Sequence, residues 1–455
     1  MTKEKTSGMD MLSGSMMGKI LKFALPLALG SILQQLFNSV DVAVVGRFSS
    51  KQALAAVGAN APVVALLVNV FAGISVGSNV VIANYIGRGH PERLKNTVST
   101  SIAVALTSGL ILTGLGLSVA KLLLELMSTP EDVIDLAVFY LRIYCLGMPF
   151  IMLYNFEAAI LRSTGDTKRP LFCLIISGVI NAVLNVFFVV GFGLGVAGVA
   201  IATVISNIVS SGLLLCFLMK SEEPMKLELR DIHIYKEELT KILRIGVPAG
   251  LQGMVFSVAN ICIQAAINSF GSEVVAGSAV ALNFEYLSYF LISGFNSAVM
   301  TFTSQNYGAG NLKRCRRAYF ICMGCGILSC IVLNSGFYLG RDLFILFFTT
   351  DPVVAGYAAQ RMKYVLLLQF LAGTYEISGS ALRGFGHSMT PTLLTVFGTC
   401  IVRIVWINTV TVKHHTFFAL MMVYPFSWVI TGSIVVAAYF IVLKRNFAVS
   451  KGRTQ

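Results

Sequence analysis

The run KILKFALP at residues 19–26 returns as KILRIGVP at residues 241–248. The offset between the two final prolines is 248 − 26 = 222 residues, and the same offset carries Asn38 onto Asn260. Agreement over a fixed interval indicates that the chain consists of two copies of one structural unit. The boundaries predicted from this repeat are residues 1–219 for the N-terminal half, 220–239 for a polar linker and 240–455 for the C-terminal half.

The composition predicts that most of the chain lies in a membrane. Of 455 residues, 56% are hydrophobic and only 12% are charged, whereas soluble domains carry about 25% charged residues. The mean hydropathy is +0.79. Apolar stretches of about 20 residues are long enough to cross a bilayer. Twelve such stretches are predicted, at residues 18–46, 54–86, 95–126, 132–162, 168–193, 196–219, 240–268, 276–307, 315–348, 353–383, 389–412 and 417–443.

The net charge of +13 resembles that of a nucleic-acid-binding protein, but its distribution favours a topological role. With the N-terminus in the cytoplasm, most Lys and Arg residues fall in inner loops. The outer loops then hold only Arg47, Lys51, Lys121, Arg341 and Lys413. Membrane proteins follow this bias. We therefore expect a multi-pass protein with both termini inside and no nucleic-acid partner.

The repeat and the twelve crossings together indicate a transporter. Six crossings in each half give both halves the same orientation, related by a pseudo-two-fold axis along the membrane normal. Duplicated transporters place the substrate site between or within their halves. The linker at 220–239 is predicted to be a cytoplasmic tether without chemistry.

The N-terminal half contains an intramembrane acid, Asp41, which is costly to bury and therefore suggests a function. Helical spacing places Gln34 and Asn38 on the same face as Asp41. Asn181 and Asn185 share a face of the fifth segment, and Tyr140 and Thr203 are predicted at similar depth. Such a chamber could hold either H⁺ or Na⁺ near Asp41. The alternative is that Asp41 makes a hydrogen bond that only fixes helix packing.

The C-terminal half offers a second, less uniform set of polar residues. Asn260, Gln264 and Asn268 recur at intervals of four, while Glu285, Glu376 and Arg403 are expected to be buried. An acid could form a structural ion pair with Arg403. Four charged residues are placed nearer the ends of helices, where long side chains reach water. They are Arg142, Glu157, Arg361 and Lys363.

Several motifs resemble those of the multidrug and toxic compound extrusion (MATE) family, in particular the bacterial branch named after the DNA-damage-inducible F protein. They are FNSVDVAVVGR at 37–47, ALAAVG at 53–58, LRSTGDTKRP at 161–170, GVAGVA at 195–200 and SALRGFG at 380–386. The resemblance covers nearly the whole chain. It implies an all-α membrane protein with V-shaped six-helix lobes that exports cationic or amphipathic compounds against inward H⁺ or Na⁺ flow.

The resemblance also implies roles for individual residues. The aspartate that carries the coupling ion in that branch corresponds to Asp41. The family pattern on the fifth helix is Asn, three residues, then Asp, but here Asn185 replaces the second acid. Other branches bind Na⁺ through acids on helices 7 and 10. Only Glu376 matches that pattern here, beside Asn260 and Gln264.

We therefore expect a secondary antiporter for multidrug efflux that acts as a monomer in the lipid of a bacterial plasma membrane. Pro26 would permit the first helix to bend during transport. Small organic cations are the expected substrates, with H⁺ or Na⁺ as the coupling ion and no other cofactor. The alternative is a flippase for lipid-linked saccharide or peptidoglycan precursors. The sequence shows no catalytic constellation for an enzyme and no repeated filter for a channel.

Overall fold

The computed structural model describes residues 8–127 and 129–452, and every regular element in these ranges is helical. Ten helices are long and apolar enough to cross a membrane. We number them with the two bent helices described next: α1 Met16–Phe48, α2 Lys51–Arg88, α3 Pro91–Leu126, α5 Lys168–Gly191, α6 Gly195–Met219, α7 Lys236–Asn268, α8 Ser272–Gly308, α9 Leu312–Leu339, α11 Met389–Thr411 and α12 Phe417–Ser450.

Two further spans are bent in the middle. Helix α4 consists of Glu131–Leu146 and Met148–Ser163, which meet at 49°, and α10 consists of Pro352–Leu366 and Phe370–Gly384, which meet at 43°. Counting each bent pair as one crossing gives twelve, so the predicted all-α fold and number of crossings are confirmed. The break in α4 falls at Gly147, where glycine leaves room for Val204 of α6.

The ninth predicted segment, 315–348, is too long. Helix α9 ends at Leu339, and a separate short helix occupies Arg341–Leu346. Gly340 interrupts the helix, and a Cβ at this position would lie 2.8 Å from the ring of Phe344. Apolar composition continues through this turn, so hydropathy alone could not detect it.

The described chain forms two compact units that differ from the sequence repeats in one respect. Unit 1 contains Leu29–Gly250 and a short segment that ends at Asp10, whereas unit 2 contains Met11–Ala28 and Leu251–Gln455. The first part of α1 thus belongs to the unit built mainly from the second repeat, and the first part of α7 to the other unit. The division predicted at 219 and 240 describes the repeat, and packing assigns these two segments differently.

Both exchanges occur just after a proline. In α1 the unit changes after Ala28, two residues beyond Pro26, and in α7 it changes after Gly250, two residues beyond Pro248. Each proline lies inside a continuous helix. A proline removes one backbone hydrogen bond and allows a helix to bend. The repeated prolines therefore mark the places where each helix passes from one unit to the other.

Four glycines allow α2 and the first part of α7 to pack closely within unit 1. They form two pairs spaced by four residues, Gly73 with Gly77 and Gly246 with Gly250. A Cβ on Gly73 would lie 2.3 Å from Gly250 Cα, and a Cβ on Gly250 would lie 2.1 Å from the Val70 oxygen. Small residues at this spacing let membrane helices approach backbone to backbone.

The linker packs against unit 1 instead of forming a loose tether. The backbone N–H of His233 donates to Ser99 Oγ at 2.7 Å, and Ser99 Oγ donates to the Asp231 oxygen at 2.8 Å. The N–H of Tyr235 donates to Thr100 Oγ1 at 3.1 Å. Polar residues at the start of α3 thus satisfy the backbone of the linker, which explains why this stretch is ordered despite its polar composition.

We expect Gly73→Ala to destabilise the folded protein, because the new methyl group would overlap the backbone of α7. Overpacking of this kind typically costs about 1–3 kcal/mol. The matched control is Gly58→Ala on the same helix, where an added Cβ meets nothing within 4 Å. Thermal unfolding of the purified proteins in detergent should show a lower midpoint for Gly73→Ala only; equal midpoints for the two variants would contradict the close contact.

Candidate functional site

A chain of polar side chains links three helices of unit 1. Asn185 of α5 donates from Nδ2 to Asp41 Oδ1 of α1, and from the same nitrogen to Asn181 Oδ1 at 3.1 Å. Asn181 in turn donates to Thr203 Oγ1 of α6 at 3.4 Å. The structure therefore brings together four of the residues predicted for the N-terminal chamber.

The amide of Asn185 is the centre of this arrangement. Its nitrogen has two hydrogens, and both are used, one toward the carboxylate and one toward Asn181. An ionised carboxylate can only accept hydrogen bonds, so the amide atom of Asn185 that faces Asp41 must be its nitrogen and not its oxygen. Asn185 is completely buried, and its Oδ1 has no hydrogen-bond partner among the described residues. A buried acceptor without a donor is costly. Asn185 Oδ1 is therefore a candidate to accept a hydrogen bond from a protonated group or to coordinate a cation.

Two tyrosines of α4 complete the surroundings of Asp41. The rings of Tyr140 and Tyr144 stack with centroids 6.1 Å apart, and both hydroxyls lie within electrostatic range of the Asp41 carboxyl. Tyr140 also belongs to the main apolar core of unit 1, next to Val44 and Val45. The sequence predicted Tyr140, but it missed Tyr144, which follows one helical turn later.

The helix that carries Asn185 changes its winding immediately after this residue. Residues Val186–Gly191 form a π-helical turn, with one extra residue relative to α-helical winding. Such turns are rare and often occur at functional sites. The wider turn rotates the residues that follow it relative to those that precede it. Side chains before and after the turn therefore do not lie on one continuous face of α5.

Contact between Phe37 and Gly178 sets the distance between α1 and α5. A Cβ on Gly178 would lie 1.9 Å from Phe37 Cε2, so only glycine leaves space for this ring. Gly178 lies one turn before Asn181, and Phe37 lies one turn before Asp41. The contact therefore holds the two helices at the separation that the Asp41–Asn185 hydrogen bond requires.

Gln34 and Asn38 do not join this cluster. Both side chains are exposed, and neither has a hydrogen bond among the described side chains of unit 1. The helical spacing placed them correctly on one broad face of α1, but only Asp41 is directed toward α5. Periodicity defines a face, whereas the neighbouring helix selects the residues that it contacts.

In unit 2, Glu285 of α8 pairs with Arg361 of α10 and not with Arg403. Arg361 Nε donates to Glu285 Oε1 at 2.7 Å, and Nη2 donates to Oε2 at 3.0 Å. Arg361 is 1% exposed. A structural ion pair of Glu285 is therefore present, but its partner is Arg361 and not Arg403. The prediction that Arg361 extends to a helix end is wrong. The bend in α10 lies after Leu366, beyond Arg361.

The other predicted residues of the C-terminal half do not meet at one point. Glu376 Oε2 accepts from Asn296 Nδ2 at 3.2 Å. Gln264 donates to Asn268 on its own helix at 2.9 Å, and Asn260 is exposed. No group of three or more His, Cys, Asp or Glu side chains that could bind a metal occurs in the described ranges.

Glu157 is also placed differently from its prediction. It lies in the second half of α4 and is fully buried, and neither carboxyl oxygen has a hydrogen-bond partner in the part of the chain that is described. Arg142 and Lys363, by contrast, are exposed. Distance from the end of a predicted segment was a poor guide for Glu157, because the packing of α4 against α3 and α6 decides its burial.

We expect Gly178→Ala to destabilise unit 1, because its methyl group would overlap the Phe37 ring. Replacing Phe37 with Leu removes the obstructing ring atoms, so Phe37→Leu should partly restore the stability of Gly178→Ala. A double-mutant cycle of thermal midpoints in detergent measures this coupling. Additive effects of the two substitutions would show that the contact does not determine the spacing of α1 and α5.

Comparison with known proteins places these features in a family. The sequence model of the family described as MatE matches residues 26–187 and again residues 248–407. The two matches begin at Pro26 and Pro248, with the offset of 222 residues found in the sequence. The family model therefore recognises both repeats.

Curated relatives carry similar descriptions. A probable multidrug resistance protein of Bacillus subtilis, YoeA, is 31% identical over 384 residues, which cover 82% of each chain. NorM of Thermotoga maritima, described in the same words, is 28% identical and covers 83% of this chain and 82% of its own length. The multidrug export protein MepA of Staphylococcus aureus is 22% identical over 85% of this chain and 86% of its own length.

Solved structures share the fold. A MATE protein in a straight conformation superposes with a TM-score of 0.88 at 25% identity, and the match covers 98% of this chain and all of that one. An outward-facing multidrug resistance MATE transporter of the MOP superfamily gives a TM-score of 0.90 at 24% identity with the same coverage. The duplicated sequence, the helical fold and the two family matches agree, and the chain belongs to the MatE family of membrane transporters.

Proposed function

We propose that this protein is a secondary antiporter that exports cationic and amphipathic organic compounds in exchange for H⁺ or Na⁺. The supporting observation is the unpartnered, fully buried Oδ1 of Asn185 beside the Asp41 carboxylate. The descriptions of the relatives as multidrug resistance and export proteins support the substrate class. We place it in a bacterial plasma membrane as a monomer with both termini in the cytoplasm, in keeping with the charge distribution.

Binding of the coupling ion would change the hydrogen bonding around Asp41. An ionised carboxylate accepts from the Asn185 amide nitrogen, but a protonated one must also donate a hydrogen bond. Rotation of the Asn185 amide by half a turn would exchange its nitrogen and oxygen and present the unpartnered oxygen to that proton. Na⁺ would use the same oxygens, since a hard cation takes carboxylate, amide and hydroxyl ligands.

Substrate and coupling ion would compete for one negative charge. A free Asp41 carboxylate attracts an organic cation, and the faces of Tyr140 and Tyr144 favour it further through cation–π attraction. Neutralisation of Asp41 removes this attraction and lowers the cost of a dry, closed chamber. Asp41 and Pro26 lie on the same helix, so a change at the carboxyl can be transmitted along α1 to the position where it can bend.

The flippase alternative is less favoured. A pyrophosphate headgroup requires a cationic site, but the chamber around Asp41 contains one acid, two amides, hydroxyls and aromatic rings. The basic residues that could favour a flippase, such as Arg361 and Arg403, belong to unit 2 and not to this chamber. The named relatives are described as multidrug proteins and not as lipid transporters.

Asp41→Asn should abolish gradient-driven export while the protein stays folded, because the amide has nearly the same shape but cannot be ionised. The measurement is ethidium efflux from proteoliposomes under pH and Na⁺ gradients imposed separately. We expect a reduction of at least about tenfold, which corresponds to about 1.4 kcal/mol. The gradient that drives the parent protein identifies the coupling ion.

The matched control is Glu376→Gln, which removes an acid from unit 2 and leaves the chamber around Asp41 intact. It should retain ion-driven efflux. Efflux by Asp41→Asn at the parental rate would contradict the coupling role of Asp41. Loss of ion-driven efflux in both variants would show that coupling is not confined to unit 1.

Asn185→Asp should restore the second acid of the family pattern and change the pH dependence of transport. Two carboxylates in contact cannot both remain ionised, so the pair would hold a proton to higher pH than Asp41 alone. We expect the pH profile of ethidium efflux to move to higher pH in Asn185→Asp. The control is Asn155→Asp on α4, whose amide donates to the Ile151 oxygen of its own helix and not to any member of the chain of hydrogen bonds. A profile identical to that of the parent protein would remove Asn185 from the coupling network.

A further inference from the structure

Unit 2 contains more buried positive charge than buried negative charge. Three of its arginines are buried, Arg361 at 1%, Arg403 at 3% and Arg383 at 9% exposure. The acids beside them are Glu285, which is 8% exposed, and Glu376, which is partly buried. Three positive and two negative charges leave one positive charge in excess. A buried charge without a counter-charge is costly and calls for a partner.

Of the three arginines, only Arg361 forms a salt bridge in the described ranges, so the excess falls on Arg383 and Arg403. Glu285 forms a bidentate pair with Arg361, and Glu376 interacts electrostatically with Arg383. Arg403 Nε donates to Ser427 Oγ at 3.2 Å, and this arginine takes part in no salt bridge within the described ranges. Its planar guanidinium therefore has hydrogen-bonding capacity that no carboxylate of unit 2 uses.

The ring of Tyr424 brings Arg403 and Arg361 close together. The Arg403 guanidinium carbon lies 4.8 Å from the ring centroid, and that of Arg361 lies 5.4 Å from the same centroid. Nη1 of Arg361 forms no hydrogen bond of regular geometry among the described residues, although the side chain is almost completely buried and its guanidinium interacts with Tyr424. Two guanidinium groups thus face one aromatic ring.

The Glu285–Arg361 pair is rigidly supported and is not free to neutralise Arg403 as well. Gln369 Nε2 donates to the Glu285 backbone oxygen at 2.9 Å, and Ser288 Oγ donates to Gln369 Oε1 at 2.6 Å. Both carboxylate oxygens of Glu285 already accept from Arg361. The bonds of Gln369 and Ser288 hold Glu285 in place, and Glu285 in turn holds the Arg361 guanidinium. The orientation of Arg361 Nη1 is therefore fixed.

Three π-helical turns adjoin these arginines. Met362–Leu366 follows Arg361 directly, while Val396–Ile401 and Ile407–Thr411 lie on either side of the α-helical turn that contains Arg403. In unit 1, a turn of the same kind follows Asn185. Since π-helical turns are rare and concentrate at functional sites, their position is an observation independent of the charge count.

We propose that unit 2 contains a binding site for an aromatic monocarboxylate, formed by Arg403, the Nη1 edge of Arg361 and the ring of Tyr424. The carboxylate would supply the single negative charge that this unit lacks, and guanidinium groups bind carboxylates through paired, charge-assisted hydrogen bonds. A dianion such as a phosphate monoester would exceed the available positive charge.

The aromatic part of the ligand follows from the walls of the site. Besides the Tyr424 ring, on which both guanidinium groups lie, Trp428 packs against Tyr424 with ring centroids 5.7 Å apart. Flat rings next to cationic groups accept an aromatic acid by stacking and edge contacts. The site lies entirely in unit 2, so it does not depend on the coupling role proposed for Asp41.

One of the two tryptophans of the chain, Trp428, packs against the Tyr424 ring of this site, so intrinsic fluorescence responds to changes there. We would titrate the purified full-length protein in detergent with 4-phenylbutyrate, excited where the ligand does not absorb. The comparison ligands are 4-phenylbutanamide, 4-phenylbutylamine and phenyl phosphate. We expect a saturable fluorescence change with the carboxylate, and at least about tenfold weaker responses to the other three, because hydrogen bonds to a charged group are worth at least a factor of about ten.

Arg403→Gln should weaken 4-phenylbutyrate binding about tenfold or more, since it removes the charge without breaking an ion pair. Arg403→Lys should retain part of the affinity, because it keeps the charge but not the planar fork. Asp41→Asn should bind as the parent protein does, which separates this site from the function proposed for unit 1. Thermal midpoints of all variants show whether a change in binding is a consequence of unfolding.

The ligand series on the parent protein tests the proposed carboxylate site even if Arg403→Gln fails to fold. Equal responses to the carboxylate and its amide would overturn the proposal, as would unaltered binding by a folded Arg403→Gln. Tighter binding of phenyl phosphate would overturn the assignment to a monocarboxylate. Preference for the carboxylate with loss in Arg403→Gln would establish the site.

Discussion

A polar group inside a bilayer must find its partner within the protein, because the hydrocarbon offers none. This constraint explains why the polar side chains of unit 1 form a connected series from Asp41 through Asn185 and Asn181 to Thr203. It also makes the few buried polar atoms without a partner significant. Where a buried group lacks a partner, as at Asn185 Oδ1, the protein carries a cost that a bound ion or ligand would remove.

Close packing makes those polar contacts possible. Gly73 and Gly250 let α2 and α7 touch through their backbones, and Gly178 admits the ring of Phe37 between α1 and α5. Without Gly178, α1 and α5 would stand further apart, and the hydrogen bond between the short side chains of Asp41 and Asn185 could not form. The apolar packing and the polar site are therefore parts of one arrangement.

The two units use the same backbone framework for opposite charges. Unit 1 places a single acid among amides and tyrosines, whereas unit 2 contains an excess of buried arginine around Tyr424. π-Helical turns occur beside both sets, after Asn185 and after Arg361. Duplication preserved the fold, and divergence of a few intramembrane residues gave each half its own electrostatic character.

The sequence by itself determined the repeat, the membrane environment and the twelve crossings, because periodicity and hydropathy are properties of the chain alone. Tertiary structure decided which polar residues meet. It joined Asn185 to Asp41 but left Gln34 and Asn38 exposed, and it paired Glu285 with Arg361 instead of Arg403. It also assigned the first parts of α1 and α7 to different units from the rest of their repeats. Helical spacing defines a face about 100° wide, and only the neighbouring helix selects the residue on that face that forms a contact.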